Sequence, residues 1–191
     1  MSNIGVFCGS SFGTGPCYSL AAKSLACEIA SGNHTLIYGG VDEGLMGLVA
    51  GTCRLNGGKV RGIVPEIFRN KSLRFGQNHE IQWVNDMAAR KSAIAEICDC
   101  YIVLPGGLGT LEEFAEVWSW AHLVENPKTI VLFNVNAFYD PLLKFLKQAA
   151  EQGFINPCFV AQLPQGTSAC EVLELALKPS TALPKWSNKK C

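Results

Sequence analysis

Tyr101-Ile102-Val103-Leu104-Pro105-Gly106-Gly107-Leu108-Gly109-Thr110-Leu111-Glu112-Glu113 reads as a short apolar strand, a glycine turn and the opening of a helix. A helix that starts in this way leaves backbone N–H groups without intrahelical partners and carries partial positive charge at its end. Such an end is a seat for a phosphate. Glu112 and Glu113 are expected in the first turn of the helix, which places carboxylates beside the anion seat. The juxtaposition points to chemistry on a phosphorylated small molecule.

The same alternation of apolar run and helical pattern extends to both sides of this stretch. Ile4–Phe7, Thr35–Tyr38, Val60–Val64, Tyr101–Leu104 and Thr129–Phe133 read as strands, and Ile81–Val84 as a short strand or edge segment. Helices are predicted over Cys17–Ala30, Leu45–Leu55, Met87–Cys98, Leu111–Val124 and Pro141–Gln152. Asp86 is placed to cap the third. Ser168-Ala169-Cys170-Glu171 is a capping box that opens a last helix through Leu177. Residues 66–79, with Arg69, Lys71 and Arg74, read as polar and irregular. Strand–helix alternation of this kind predicts an α/β fold, a Rossmann-like doubly wound parallel sheet with helices on both faces. One domain over residues 1–178 and a loose tail over 179–191 follow from the length and from the prolines and polar residues at the end.

Ligands of such sheets bind beyond the carboxyl ends of the strands. The glycine clusters fall there: Gly9-Ser10 after the first strand, Gly39-Gly40 after the second, and Gly106-Gly107 with Gly109 after the strand at 101–104. Residues 39–47 hold four glycines, at 39, 40, 44 and 47, which predicts that backbone approaches something closely. The loop Gly9–Gly15 does not match GxGxxG, and the second strand ends in Tyr38-Gly39 without an acidic residue for a ribose, so a nicotinamide cofactor is not expected. No GxxxxGK[ST] is present.

The reactive groups are less sharply defined by spacing. Thr110-x-x-Glu113 has the form of a capping box, in which the Glu113 carboxylate would reach back to the Thr110 N–H. Glu112 suits the first turn of a helix. Asp86 and Arg90 are an i,i+4 pair, and Lys91 reads equally as a solvated charge. Catalytic and structural roles for Glu113 and Arg90 therefore stay open at this level.

Composition narrows the function classes. The 191 residues are 48% hydrophobic, ample for a core. Sixteen basic residues balance sixteen acidic ones, which leaves no electrostatic footprint for nucleic acid or an anionic membrane and is compatible with burial of surface in an oligomer. The nine scattered cysteines form no CxxC pair and no zinc spacing with the three histidines, so they read as mostly free, buried thiols of a reducing, cytoplasmic setting. No metal site and no cofactor is called for by the spacing. The start, Met1-Ser2-Asn3-Ile4-Gly5, does not have the form of a secretory signal, and no apolar run approaches the roughly 20 residues of a membrane span.

Pro105-Gly106-Gly107-Leu108-Gly109-Thr110-Leu111-Glu112-Glu113 resembles the PGGxGTxxE signature of the LONELY GUY (LOG) family of cytokinin riboside 5′-monophosphate phosphoribohydrolases. Val6–Ser11, Tyr38-Gly39-Gly40 with Gly44-Leu45-Met46-Gly47, Asp86-Met87 with Arg90-Lys91, and Phe138–Leu143 resemble further family segments in the same order. The resemblance implies a Rossmann-like homodimer that hydrolyses the N-glycosidic bond of a nucleoside 5′-monophosphate to free base and ribose 5-phosphate. It implies Arg90 and Glu113 as the catalytic pair, and substrate contacts at Lys91, over Gly107–Glu113 (Gly107, Gly109, Thr110, Leu111 and Glu112 among them) and at Ser119. Met46 and Met87 are candidates to flank the base. The chain has Ala88 where the family commonly has His, and no clear counterpart over Lys71–Glu80 of a family glutamate, so N6-prenylated adenine and plain adenine both stand as substrates. The family often carries the label lysine decarboxylase, but no motif here supports pyridoxal phosphate chemistry. A non-catalytic nucleotide or molybdenum-cofactor carrier is the competing reading.

Overall fold

The computed structural model describes residues 1–69, 79–124 and 126–180. Seven strands form one sheet: β1 Asn3–Phe7, β2 Thr35–Tyr38, β3 Lys59–Pro65, β4 His79–Val84, β5 Cys100–Val103, β6 Thr129–Phe133 and β7 Gln165–Gly166. Their order is β4-β3-β2-β1-β5-β6-β7, and every neighbouring pair is parallel. The α-helices are α1 Pro16–Ser31, α2 Gly44–Leu55, α3 Met87–Ile97, α4 Leu108–Ala121, α5 Asp140–Glu151, α6 Pro157–Ala161 and α7 Ala169–Leu177.

Because side chains alternate across a strand, each central strand feeds two cores. Ile4 and Val6 of β1, Leu36 of β2, Ile102 of β5 and Val131 of β6 pack with Leu25 and Ile29 of α1, Val49 of α2 and Val172 of α7. The alternate residues, Phe7, Ile37, Tyr101, Val103 and Leu132, pack on the other face with Ile94 of α3, Phe114 of α4 and Leu146 of α5. Gly5 lacks a side chain because a Cβ there would meet the Tyr101 ring at 2.6 Å.

The chain order reverses between β1 and β5, and this gap positions the site. Main-chain bonds tie the strand exits together. Gly9 N–H donates to the Pro105 carbonyl at 3.1 Å, Leu45 N–H to the Gly9 carbonyl at 3.0 Å, and Leu104 N–H to the Phe7 carbonyl at 2.9 Å. From the far side, the buried Tyr139 hydroxyl donates to the Leu104 carbonyl at 2.7 Å.

Three sequence expectations change. Helix α4 begins at Leu108, three residues before the predicted Leu111, with the extended Gly107 as its N-cap, so Glu112 and Glu113 stand in its second turn. The short α6 and β7 had no sequence reading. In the capping box of α7, Ser168 Oγ accepts from the Glu171 N–H, but the Glu171 carboxylate accepts from Thr167 N–H at 2.8 Å instead of from Ser168. Cys8, Cys53, Cys98 and Cys100 are buried free thiols as expected, whereas Cys27 and Cys170 are exposed and Cys158 is disulfide-bonded. Among the described residues no helix is long and apolar enough to cross a membrane. The expectations for residues 70–78 and for the tail beyond 180 lie outside the described residues.

Candidate active site

A cavity of about 320 Å³ opens at the β1/β5 exits, between the start of α4, the start of α3 and the loop after β2. Leu111 N–H donates the first helical bond of α4, to the Gly107 carbonyl at 3.0 Å. The N–H groups of Leu108, Gly109 and Thr110 precede that bond and have no intrahelical acceptor. Gly107, Leu108, Gly109 and Thr110 all line the cavity. A Cβ at Gly107 or Gly109 would meet nothing within 4 Å, so the backbone is bare on the side where an anion would approach. Thr110 is buried.

The second wall comes from α3. Asp86 accepts from the Ala89 N–H at 2.8 Å and fixes the helix start, and Arg90 follows one turn in. Arg90 Nη2 donates to Glu113 Oε1 at 2.6 Å, and the two side chains are only 12% and 11% exposed. Glu113 is therefore not the arm of a capping box on Thr110, which lies inside the helix, and Arg90 is committed to Glu113 across 23 residues, while Asp86 serves its own helix. Burial pushes the Glu113 carboxyl above the usual carboxylate range, and the Arg90 guanidinium pulls it back. The neighbouring Glu112 and Glu116 add to the rise, and Lys91 opposes it. Arg90 Nε is buried and has no hydrogen-bond partner among the described residues. An unsatisfied buried donor costs about 1–3 kcal/mol.

The other sequence candidates separate into two groups. Gly9, Ser10, Gly39, Met46, Met87 and Glu112 line the same cavity. Gly40, Lys91, Gly106, Leu111 and Ser119 do not line it. Lys91 Nζ bridges Glu112 at 2.7 Å and Glu116 at 3.0 Å, and the Glu112 bond chiefly raises its pKa. Gly106 lies beneath the start of α4, where a Cβ would collide with the Thr110 hydroxyl. A Cβ at Gly40 would collide with Val64, at Gly44 with the Ser10 backbone, and at Gly47 with Asp42 at 2.5 Å, so those glycines let protein pack on protein. Leu111 packs against the α3/α4 core, and Ser119 is exposed farther down α4.

Leu108, within the predicted loop Gly107–Glu113, also lines the cavity, and Cys8, Val41, Glu43 and Phe68 line it without having been singled out. Phe68 stands in a turn of 3₁₀-helix, Glu66–Phe68, at the exit of β3. Its only sequence signal was that this exit shares the carboxyl edge with the glycine loops. Burial, and then the Glu113 charge, holds the Cys8 thiol far above its ordinary pKa, so it stays protonated and is no nucleophile at neutral pH. A second cavity, about 460 Å³, lies between α3 and α4 with Glu113 on its wall. It is lined mainly by apolar groups, among them Phe7, Ile94, Tyr101, Val117 and Trp120.

The chain matches a family model described as "Possible lysine decarboxylase" over residues 46–175. It is 45% identical over 152 residues to cytokinin riboside 5′-monophosphate phosphoribohydrolase LOG5 of Arabidopsis thaliana, covering 80% of this chain and 67% of that one. It is 42% identical over 158 residues to cytokinin riboside 5′-monophosphate phosphoribohydrolase of Rhodococcoides fascians, covering 81% and 79%. Among solved structures, the molybdenum cofactor binding protein of Rippkaea orientalis superposes with a TM-score of 0.67 at 22% identity, covering 91% of this chain and 94% of that chain. That likeness speaks to the fold.

Proposed function

The chain belongs to the LOG family of phosphoribohydrolases, and from this premise we propose that it is an N-glycosyl hydrolase of nucleoside 5′-monophosphates, with a cytokinin riboside 5′-monophosphate or AMP as substrate. Water adds to C1′ of the ribose, the bond from C1′ to the base nitrogen breaks, the base leaves with a proton, and ribose 5-phosphate remains. The observation that carries the reading is the buried Arg90–Glu113 pair on a cavity whose floor is the bare start of α4.

Each part has a task. The 5′-phosphate sits on the N–H groups of Gly109 and Thr110, at the positive end of α4, with Gly107 beside it. Glu113 lies one turn along the same helix. Cleavage builds positive charge at C1′, and an ionised carboxylate in a water-poor pocket stabilises that charge and accepts the proton of the attacking water. Arg90 keeps Glu113 ionised against the pull of burial and offers its free Nε–H to the phosphate or a ribose hydroxyl. Met46, Met87 and Phe68 supply soft or flat surfaces for the base.

The protein acts as a homodimer in this reading. The apolar cavity between α3 and α4 carries Trp120, 61% exposed, and Val124 on its rim, and a second copy of the chain covers that face. The buried free thiols accord with a cytoplasmic setting.

The test is release of free base from AMP and from N6-prenylated AMP. Glu113→Gln and Arg90→Ala each reduce turnover by about 10²–10⁴. Full turnover by Glu113→Gln removes the reading. A nucleotide that raises the melting temperature of the wild type yet stays intact makes the protein a carrier.

A further inference from the structure

Gly39 closes β2 and is buried, and its φ lies outside the left-handed region. Its backbone therefore does not require glycine. Its surroundings do. A Cβ at Gly39 would lie 2.5 Å from Arg90 Nη2 and 3.1 Å from Arg90 Cζ, with Met46 Sδ next at an ordinary 3.5 Å. Arg90 Nη2 is also the atom that donates to Glu113 at 2.6 Å, and Arg90 Nη1 lies 3.8 Å from Met87 Sδ. The guanidinium is thus held between the bare Cα of Gly39, the Met87 thioether and the Glu113 carboxylate. The other glycines of this loop accommodate backbone, a branched aliphatic group or an aspartate. Only Gly39 accommodates the arginine.

From this geometry we infer that Gly39 is a positioning residue for the hydrolysis, whose missing side chain seats Arg90 against Glu113. The inference rests on the reading of Arg90 and Glu113 as the working pair. Nothing larger than a hydrogen fits at position 39 without moving the guanidinium. The collision falls on the far end of a flexible side chain, so Gly39→Ala is absorbed by rotation of Arg90 while the main chain stays in place. Glu113 then keeps its burial and loses its guanidinium. The charged groups around it are Arg90 and Lys91 from α3 and Glu112 and Glu116 from its own helix, and the one further titratable neighbour among the described residues is the neutral Cys8 thiol after β1. Lys91 is held by Glu112 and Glu116 and does not take the place of Arg90.

The experiment compares wild type, Gly39→Ala, Arg90→Ala and the double variant. Titration of the Glu113 carboxyl, followed by ¹³C NMR and assigned with Glu113→Gln, reports the pair without reference to activity. In Gly39→Ala its midpoint moves upward, to that of Arg90→Ala, and the acid limb of the AMP-hydrolysis profile moves with it. Turnover falls about 10²-fold, the usual consequence of displacing a reacting group by about 1 Å. In the Arg90→Ala background, Gly39→Ala has no further effect on either readout, because the two act on one contact. A wild-type Glu113 midpoint in Gly39→Ala overturns the inference. Should Gly39→Ala fail to fold, the double variant folds, since the colliding guanidinium is gone, and a double variant that also fails overturns the inference. If the midpoint moves as stated but wild type releases no base from AMP or its N6-prenylated form, the positioning role stands and the hydrolase reading falls.

Discussion

Gly109 differs from most glycines of this site in being surrounded by open space, inside a helix and on the cavity wall. An alanine there removes conformational freedom from the unfolded chain and collides with nothing, so Gly109→Ala raises stability by about 0.4–1 kcal/mol. The added methyl also occupies room beside the free N–H groups, and affinity for AMP falls about tenfold, or ~1.4 kcal/mol. Thermal denaturation and titration calorimetry with AMP check the two halves. A more stable protein with undiminished affinity places the phosphate elsewhere. At this scale the sequence told less than the structure. The bare glycine-rich opening at the start of α4 was legible because its residues are contiguous. Arg90 and Glu113 were named as a catalytic pair only through family resemblance, since spacing equally allowed a capping box and an i,i+4 pair. The contact joins two helices, and no local pattern encodes it. Phe68 had no signal beyond the place of its loop on the carboxyl edge of the sheet.

Helix α3 holds Arg90 in place, and its start depends on one exposed side chain, the Asp86 carboxylate on Ala89 N–H. Asp86→Ala removes a capping bond worth about 1 kcal/mol. Arg90 is the next residue along, so the loosened first turn also lowers kcat for base release. Chemical denaturation and steady-state kinetics test this together, and a stability loss with unchanged kcat would show that Arg90 does not depend on the cap. Elements were legible where an apolar period ran for several residues, as in β2 and β6, whose predicted bounds coincide with the observed ones. The start of α4 was misplaced because Gly109 reads as a helix breaker; in fact the helix carries it at a cost of about 1 kcal/mol. Helix α6, five residues capped by Asn156, and strand β7, two residues, are too short to show a period.

The whole molecule is a sheet whose order turns at β1/β5, and that arrangement was legible because alternating strands and helices admit few topologies. A homodimer was expected from the family resemblance alone, because an exposed Trp has the same composition whether it meets water or a partner. If the α3/α4 face pairs two copies, Trp120→Glu separates them. Sedimentation would give a monomer with an unchanged circular dichroism spectrum, as expected for a side chain 61% exposed in the single chain. A variant of unaltered mass would assign another face to the contact. The bonds from Gly9 to Pro105 and from Leu45 to Gly9 join three strand exits through main-chain atoms alone. Short of proline at position 9 or 45, no exchange of side chains deletes either bond, so descendants of this sequence are free to alter the side chains that line the cavity while the main-chain frame beneath it passes on unchanged. If the proposed hydrolysis holds, new nucleotide preferences are within reach of a few substitutions at cavity-lining positions such as Phe68 and Met87.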